Sequence, residues 1–157
     1  MAAGRQRTRS GRVLAAALSA VLVLGVATAG ATGEERFGRR RQMLALTNQD
    51  RARNDRYGLE FAERLAQYAK THSQAMADKG YLYHSTEDEL REALEGYEWS
   101  LGGENIGVGG SVEVLEEAFM ASDAHRENIL RRIYDHAAVG VVRDDDGRLW
   151  VTVIFYG

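Results

Sequence analysis

Residues 42–157 read as an α+β domain, with helices first and strands last. Two observations predict this. An apolar stripe runs through Phe61, Leu65, Tyr68, Ala69, His72 and Met76, and two β-branched and aromatic runs at 137–142 and 149–156 flank Asp144-Asp145-Asp146-Gly147. Spacing near 3.6 residues marks an amphipathic helix, and an acidic turn ending in Asp-Gly between strand-like runs marks a hairpin. Helices set against an antiparallel sheet give the α+β class.

The chain opens differently. Residues 1–41 hold eight arginines and two glutamates, a net +6 that leaves −9 on residues 42–157 if the whole carries −3. Arginines precede 21 uncharged residues at 13–33, within which lies the small-residue triplet Ala27-Thr28-Ala29. A basic start, an apolar centre and an A-x-A site describe a secretory signal peptide over 1–29. The alternative is a retained N-terminal membrane anchor reaching to about residue 33. Either reading puts the acidic body outside the cytoplasmic membrane, in the extracellular space or cell envelope, with membrane contact only through the N-terminal segment if it stays uncleaved. Residues 30–41 read as a solvated linker, with a run of 33–41 into the first helix as the alternative.

Along the body, Met43, Leu44, Leu46 and Ala52 predict a helix over 42–57 that stops near Gly58. The stripe described above predicts a second helix over 60–79, with Gly80 where a helix end takes a left-handed residue. A short helical pattern spans 87–94. Ser111 is placed to cap a third long helix over 112–122, with Val114, Leu115, Ala118, Phe119 and Ser122 on one face. The hairpin strands follow at 137–142 and 148–156. Its acidic turn is not a calcium loop, because the twelfth position from Asp144 is Phe155 rather than glutamate.

Composition excludes several functions. There is no cysteine, so disulfides, thiolate zinc sites, cysteine nucleophiles and iron–sulfur clusters are ruled out together. An acidic body argues against nucleic acid, whose phosphates are held by lysine and arginine.

Four histidines carry the unusual chemistry. His72 lies on the apolar stripe and reads as a hydrogen-bonded core residue; His136 precedes a strand and reads as a loop or sheet-edge residue. His84 follows the Gly80 stop, and His125 follows the predicted third helix. Between them lies Gly102-Gly103-Glu104-Asn105-Ile106-Gly107, a carboxylate among glycines. No H-E-x-x-H, G-x-S-x-G or complete G-x-G-x-x-G is present. Spacing alone leaves open whether these residues meet, and whether Glu104 does more than anchor its loop.

The ordered series Leu46-Thr47-Asn48-Gln49-Asp50-Arg51, Tyr83-His84-Ser85, Gly103-Glu104-Asn105-Ile106, His125-Arg126-Glu127-Asn128-Ile129-Leu130 and the closing Trp150-Val151-Thr152-Val153-Ile154-Phe155-Tyr156-Gly157 resembles the CAP superfamily (cysteine-rich secretory proteins, antigen 5, pathogenesis-related 1), in its bacterial, disulfide-free SCP-like branch. The resemblance covers 42–157. It implies a three-layer α–β–α sandwich with a small antiparallel sheet, and a cleft holding two histidines and two acidic residues. His84, Glu104 and His125 match three of these positions. The fourth falls on Ser122, three residues after Phe119, where family members with the full tetrad have glutamate; Asp123 is adjacent but at a different helical angle.

Three function classes follow. The first is a binding module whose cleft takes a divalent metal, a lipid, a glycan or a protein outside the cell. The second is a metal-assisted hydrolase, in which His84 and His125 ligate zinc and Glu104 is the third ligand or the base that activates water. The third is a structural envelope protein whose polar cluster only organises its core.

Overall fold

The computed structural model describes residues 33–157. The signal-peptide and anchor expectations lie outside that range. The elements are α1 (Gly33–Arg53), β1 (Glu60–Phe61), α2 (Leu65–Lys79), α3 (Glu87–Ala93), β2 (Gly102–Gly109), α4 (Val112–Ala121), α5 (Asp123–Leu130), β3 (His136–Arg143) and β4 (Leu149–Tyr156). The fold is α+β.

Four strands form one sheet in the order β1-β3-β4-β2. The hairpin pairs β3 with β4 antiparallel, β2 adds antiparallel to β4, and β1 joins β3 in parallel through Glu60–His136 and Phe61–Ala137. Alternation along the strands separates two cores. Ala137, Val139 and Val141, with Val151, Val153 and Phe155, pack against Met43, Leu44, Leu115, Phe119 and Ile129 from α1, α4 and α5. Ala138, Ile154 and Tyr156 meet Leu65, Ala66 and Ala69 of α2 on the other face. Helices therefore cover both sides, and all eight residues of β4 are buried.

The close seat of α2 depends on Gly140. A Cβ there would lie 2.2 Å from the backbone of Ala69, so only glycine lets helix and sheet touch at this point. Just beyond it, the Ser73 hydroxyl donates to Thr152 Oγ1 at 2.9 Å. At the far end of α2, Gly80 takes φ 75°, and its N–H satisfies the last carbonyls of the helix.

Several boundaries differ from expectation. Residues 33–41 belong to α1, so of the two readings of this stretch the run into the first helix is the one found. The helix expected from residue 60 starts at Leu65, because Glu60 N–H and Ala62 N–H donate to Asp135 and Ala137 carbonyls of the β3 edge. Those sheet bonds claim the backbone before the helix can. The sheet is accordingly mixed at that edge rather than wholly antiparallel. β2 is a full strand despite its glycines, since register with β4 supplies the pairing that its composition disfavours. Finally, α4 ends one residue early and α5 follows immediately, with Ser122 extended between them at φ −98°, ψ 123°. His125 thus sits in the first turn of α5 rather than beyond the last helix.

Two residues of the 46–51 segment stitch α1 to the rest. Asn48 accepts from Leu59 N–H at 2.7 Å and donates to Leu59 C=O at 3.0 Å. Arg51, 1% exposed, donates to the carbonyls of Tyr57, Ile129, Arg131 and Tyr134. It thereby holds the segment that leaves α5.

Candidate functional site

The site is built on β2, an outer strand of the sheet. Successive side chains on a strand point to opposite faces. Glu104 consequently faces the α2 layer, and its neighbour Asn105 faces α5.

On the α2 side, the chain after Gly80 folds back over Glu104. His84 Nδ1 lies 2.8 Å from Glu104 Oε1. A carboxylate only accepts, so Nδ1 carries the proton and the lone pair of the neutral ring is on Nε2. Ser85 N–H donates to the same Oε1 at 3.0 Å, and Ser85 Oγ–H donates to Oε2 at 2.6 Å. The carboxylate is 5% exposed, while the His84 side chain is 59% exposed. A buried acid thus holds an open imidazole by its inner edge.

His72 lies behind the carboxylate. Its Nε2–H donates to the Tyr83 carbonyl at 2.9 Å and is 4.0 Å from Glu104 Oε2. Tyr68 stacks on the His72 ring, Tyr83 meets it edge-on, and the Tyr68 hydroxyl donates to Ser85 Oγ at 2.9 Å. Burial raises the Tyr68 phenol above its ordinary value, so it remains a proton donor across the physiological range. His72 is a core histidine as its stripe position predicts; its place against Glu104 was not legible.

On the α5 side, Asn105 Nδ2 donates to the His125 carbonyl at 3.0 Å, and Asn128 Nδ2 donates to Asn105 Oδ1 at 2.9 Å. Two asparagines therefore lock the start of α5 to the strand. The His125 ring packs against Phe119, with centroids 4.9 Å apart. Its pKa is lowered, chiefly by burial and secondly by charge on His84. The His125 ring is thus seated on the α5 side of β2 and the His84–Glu104 pair on the α2 side, with charge on His84 felt at His125.

The Glu104 oxygens accept three hydrogen bonds, from His84 and Ser85, and among the described residues no group of three or more His, Asp or Glu side chains is disposed to hold a metal ion. Ser122, at the fourth position, forms the joint between α4 and α5. His136 opens β3 between Glu60 of β1 and Tyr156 of β4, stacked on Tyr156 and 2.6 Å from Asp135, so it lies inside the sheet rather than in a loop or at the sheet edge.

The sequence pattern of the family described as CAP, cysteine-rich secretory protein family, matches residues 44–155. The chain belongs to the CAP family. It is 31% identical over 116 residues to the uncharacterized protein YkwD of Bacillus subtilis, covering 70% of this chain and 44% of that protein. An SCP-domain extracellular protein from Bacillus anthracis superposes with TM-score 0.68 at 26% identity, over 80% of this chain and 44% of that one. A cysteine-rich secretory protein from Staphylococcus aureus gives TM-score 0.65 at 25% identity, over 80% and 40%. The chain thus spans less than half the length of these relatives. An outer surface protein of Borrelia burgdorferi shares the fold, with TM-score 0.67 at 16% identity, over 76% of this chain and 92% of that one.

Within this CAP domain the motif residues divide by task. Asn48, Arg51, Asn105 and Asn128 are fasteners, while His84, Ser85 and Glu104 form one hydrogen-bonded polar cluster and His125 packs on Phe119 across the strand. Sequence reasoning missed Tyr68 and Ser85, and the one available signal was that Ser85 directly follows His84.

Proposed function

We propose that this CAP domain is a binding module acting outside the cell, and that its ligand-holding element is the imidazole pair His84 and His125 at β2. One observation carries the reading: buried Glu104 accepts a hydrogen bond from Nδ1–H of exposed His84, which leaves the Nε2 lone pair unengaged by the carboxylate. Two neutral imidazoles suit a divalent transition metal such as zinc, and a carboxylate behind one of them is the usual outer support. A catalytic zinc normally has three protein ligands and an open position. Here the carboxylate of Glu104, the candidate third ligand, is engaged and the fourth family position is Ser122, so the donor set favours weak, reversible binding over hydrolysis. A zinc-bearing cleft would present a positive centre to an extracellular lipid, glycan or protein. The N-terminal reading and the extracellular SCP-domain protein of Bacillus anthracis support a place outside the cell.

Calorimetric titration of zinc into the full chain at pH 7.5 and 5.5 tests this. Binding should weaken strongly at the lower pH, because protonated imidazoles are not ligands. His84→Ala combined with His125→Ala should abolish it. Equal binding by wild type and double variant, or binding indifferent to pH, overturns the proposal.

A further inference from the structure

We propose that Tyr68 and Ser85 are positioning residues for His84, forming a one-way hydrogen-bond chain that sets which of its ring nitrogens faces outward. The inference rests on the imidazole-pair reading above and adds to it how the exposed imidazole is prepared. Direction follows from donor chemistry. The Tyr68 hydroxyl donates to Ser85 Oγ at 2.9 Å, so the single Ser85 hydroxyl proton is left for Glu104 Oε2 at 2.6 Å. Glu104 accepts everything that reaches it. Its other oxygen takes Ser85 N–H at 3.0 Å and His84 Nδ1–H at 2.8 Å. The chain therefore ends in a protonated Nδ1 and a bare Nε2.

Burial makes the chain consequential. With its side chain 5% exposed, the carboxylate has little water to replace a missing donor. His72 Nε2 waits 4.0 Å from Oε2, presently bonded to Tyr83 C=O. Removing the Ser85 hydroxyl leaves Oε2 without its donor and lets the carboxylate turn toward His72, away from the geometry that holds Nδ1–H of His84. The Tyr68 hydroxyl, one step further out, acts through Ser85 and should matter less, and Phe keeps the ring that stacks on His72.

The decisive measurement is the ring ¹⁵N spectrum of His84 in the full chain at pH 8.5, where neutral tautomers are distinguished, with zinc affinity alongside. Wild type should show the Nδ1–H form. Ser85→Ala should give a mixture of tautomers and about tenfold weaker zinc binding, the scale of lost outer-shell support. Ser85→Thr, which keeps the hydroxyl, should restore both, and Tyr68→Phe should move both less and in the same direction as Ser85→Ala. A wild-type tautomer in Ser85→Ala, or an Nε2–H form in wild type, overturns the inference. Should Ser85→Ala fail to fold, Tyr68→Phe decides by the same spectrum. If wild type binds no zinc, the metal reading fails by itself, and the tautomer still judges the positioning chain.

Discussion

Glu104 and Glu116 are both buried, at 8% and 3% exposure, in different layers of the sandwich. Glu104 receives three hydrogen bonds from His84 and Ser85. Glu116, on α4, receives one from Thr47 Oγ1 at 3.0 Å, and its Oε1 is buried without a partner. Burial with Asp50 nearby pushes the Glu116 carboxyl up to about 7, the Thr47 bond opposing only in part. The contrast teaches that donor supply, more than depth, separates a site from a burden. A carboxylate ringed by donors can orient a neighbour; one with a single donor prefers to hold a proton.

A wholly apolar group sets the scale for this comparison. Phe155 is 0% exposed in the core between sheet and helices. Phe155→Ala should cost about 3–5 kcal/mol in urea unfolding, and a loss below about 1 would mean that the core closes over the gap. Glu104→Ala comes next, at about 2–3 kcal/mol, because it strands the donors of His84 and Ser85. A neutral result there would show that water replaces the carboxylate, and it would break the contrast.

Glu116 should make stability fall as pH rises. Its folded pKa, about 7, lies above the unfolded value near 4.5, so the folded state keeps a proton that the unfolded state releases. Its contribution is complete below the unfolded pKa and is lost through the folded one, up to about 3 kcal/mol between pH 4.5 and 7.5. Glu116→Gln should remove that slope from thermal melts; an unchanged slope places the titrating group elsewhere. His125 acts with the opposite sign. Its depressed pKa gives stability that is present above the ordinary histidine range and lost as pH falls, so the two groups oppose each other near neutrality. Thr47→Val is the smallest change. It removes the only donor to Glu116 among the described residues and should cost about 1 kcal/mol at pH 7, less at pH 5, where the carboxyl is neutral.

Legibility along the chain follows the strength of local pattern. The 3.6-residue stripe located α2 and its glycine stop, and the Asp-Gly turn located the β3–β4 hairpin, because each element displays its buried face in its own residues. β2 and α5 were poorly legible for the same reason. A strand with glycines at 102, 103, 107 and 109 has little propensity of its own and exists through its register with β4. An eight-residue helix beginning directly after an extended Ser122 has too few turns to show a period. β1 is two residues long and was absorbed into the expected helix.

By itself the amino-acid sequence determined the α+β class, the two periods, the absence of thiol chemistry and the motif strings that carry the resemblance. Periodicity and composition are local, and local features survive without knowledge of contacts. Tertiary structure alone decided that Glu104 is engaged with His84 and Ser85, that His72 stands behind it, and that His125 approaches from the other face of β2. The reason is geometric. Adjacent residues on one strand, Glu104 and Asn105, point in opposite directions, so the site straddles the strand and joins segments that only the folded sheet brings together.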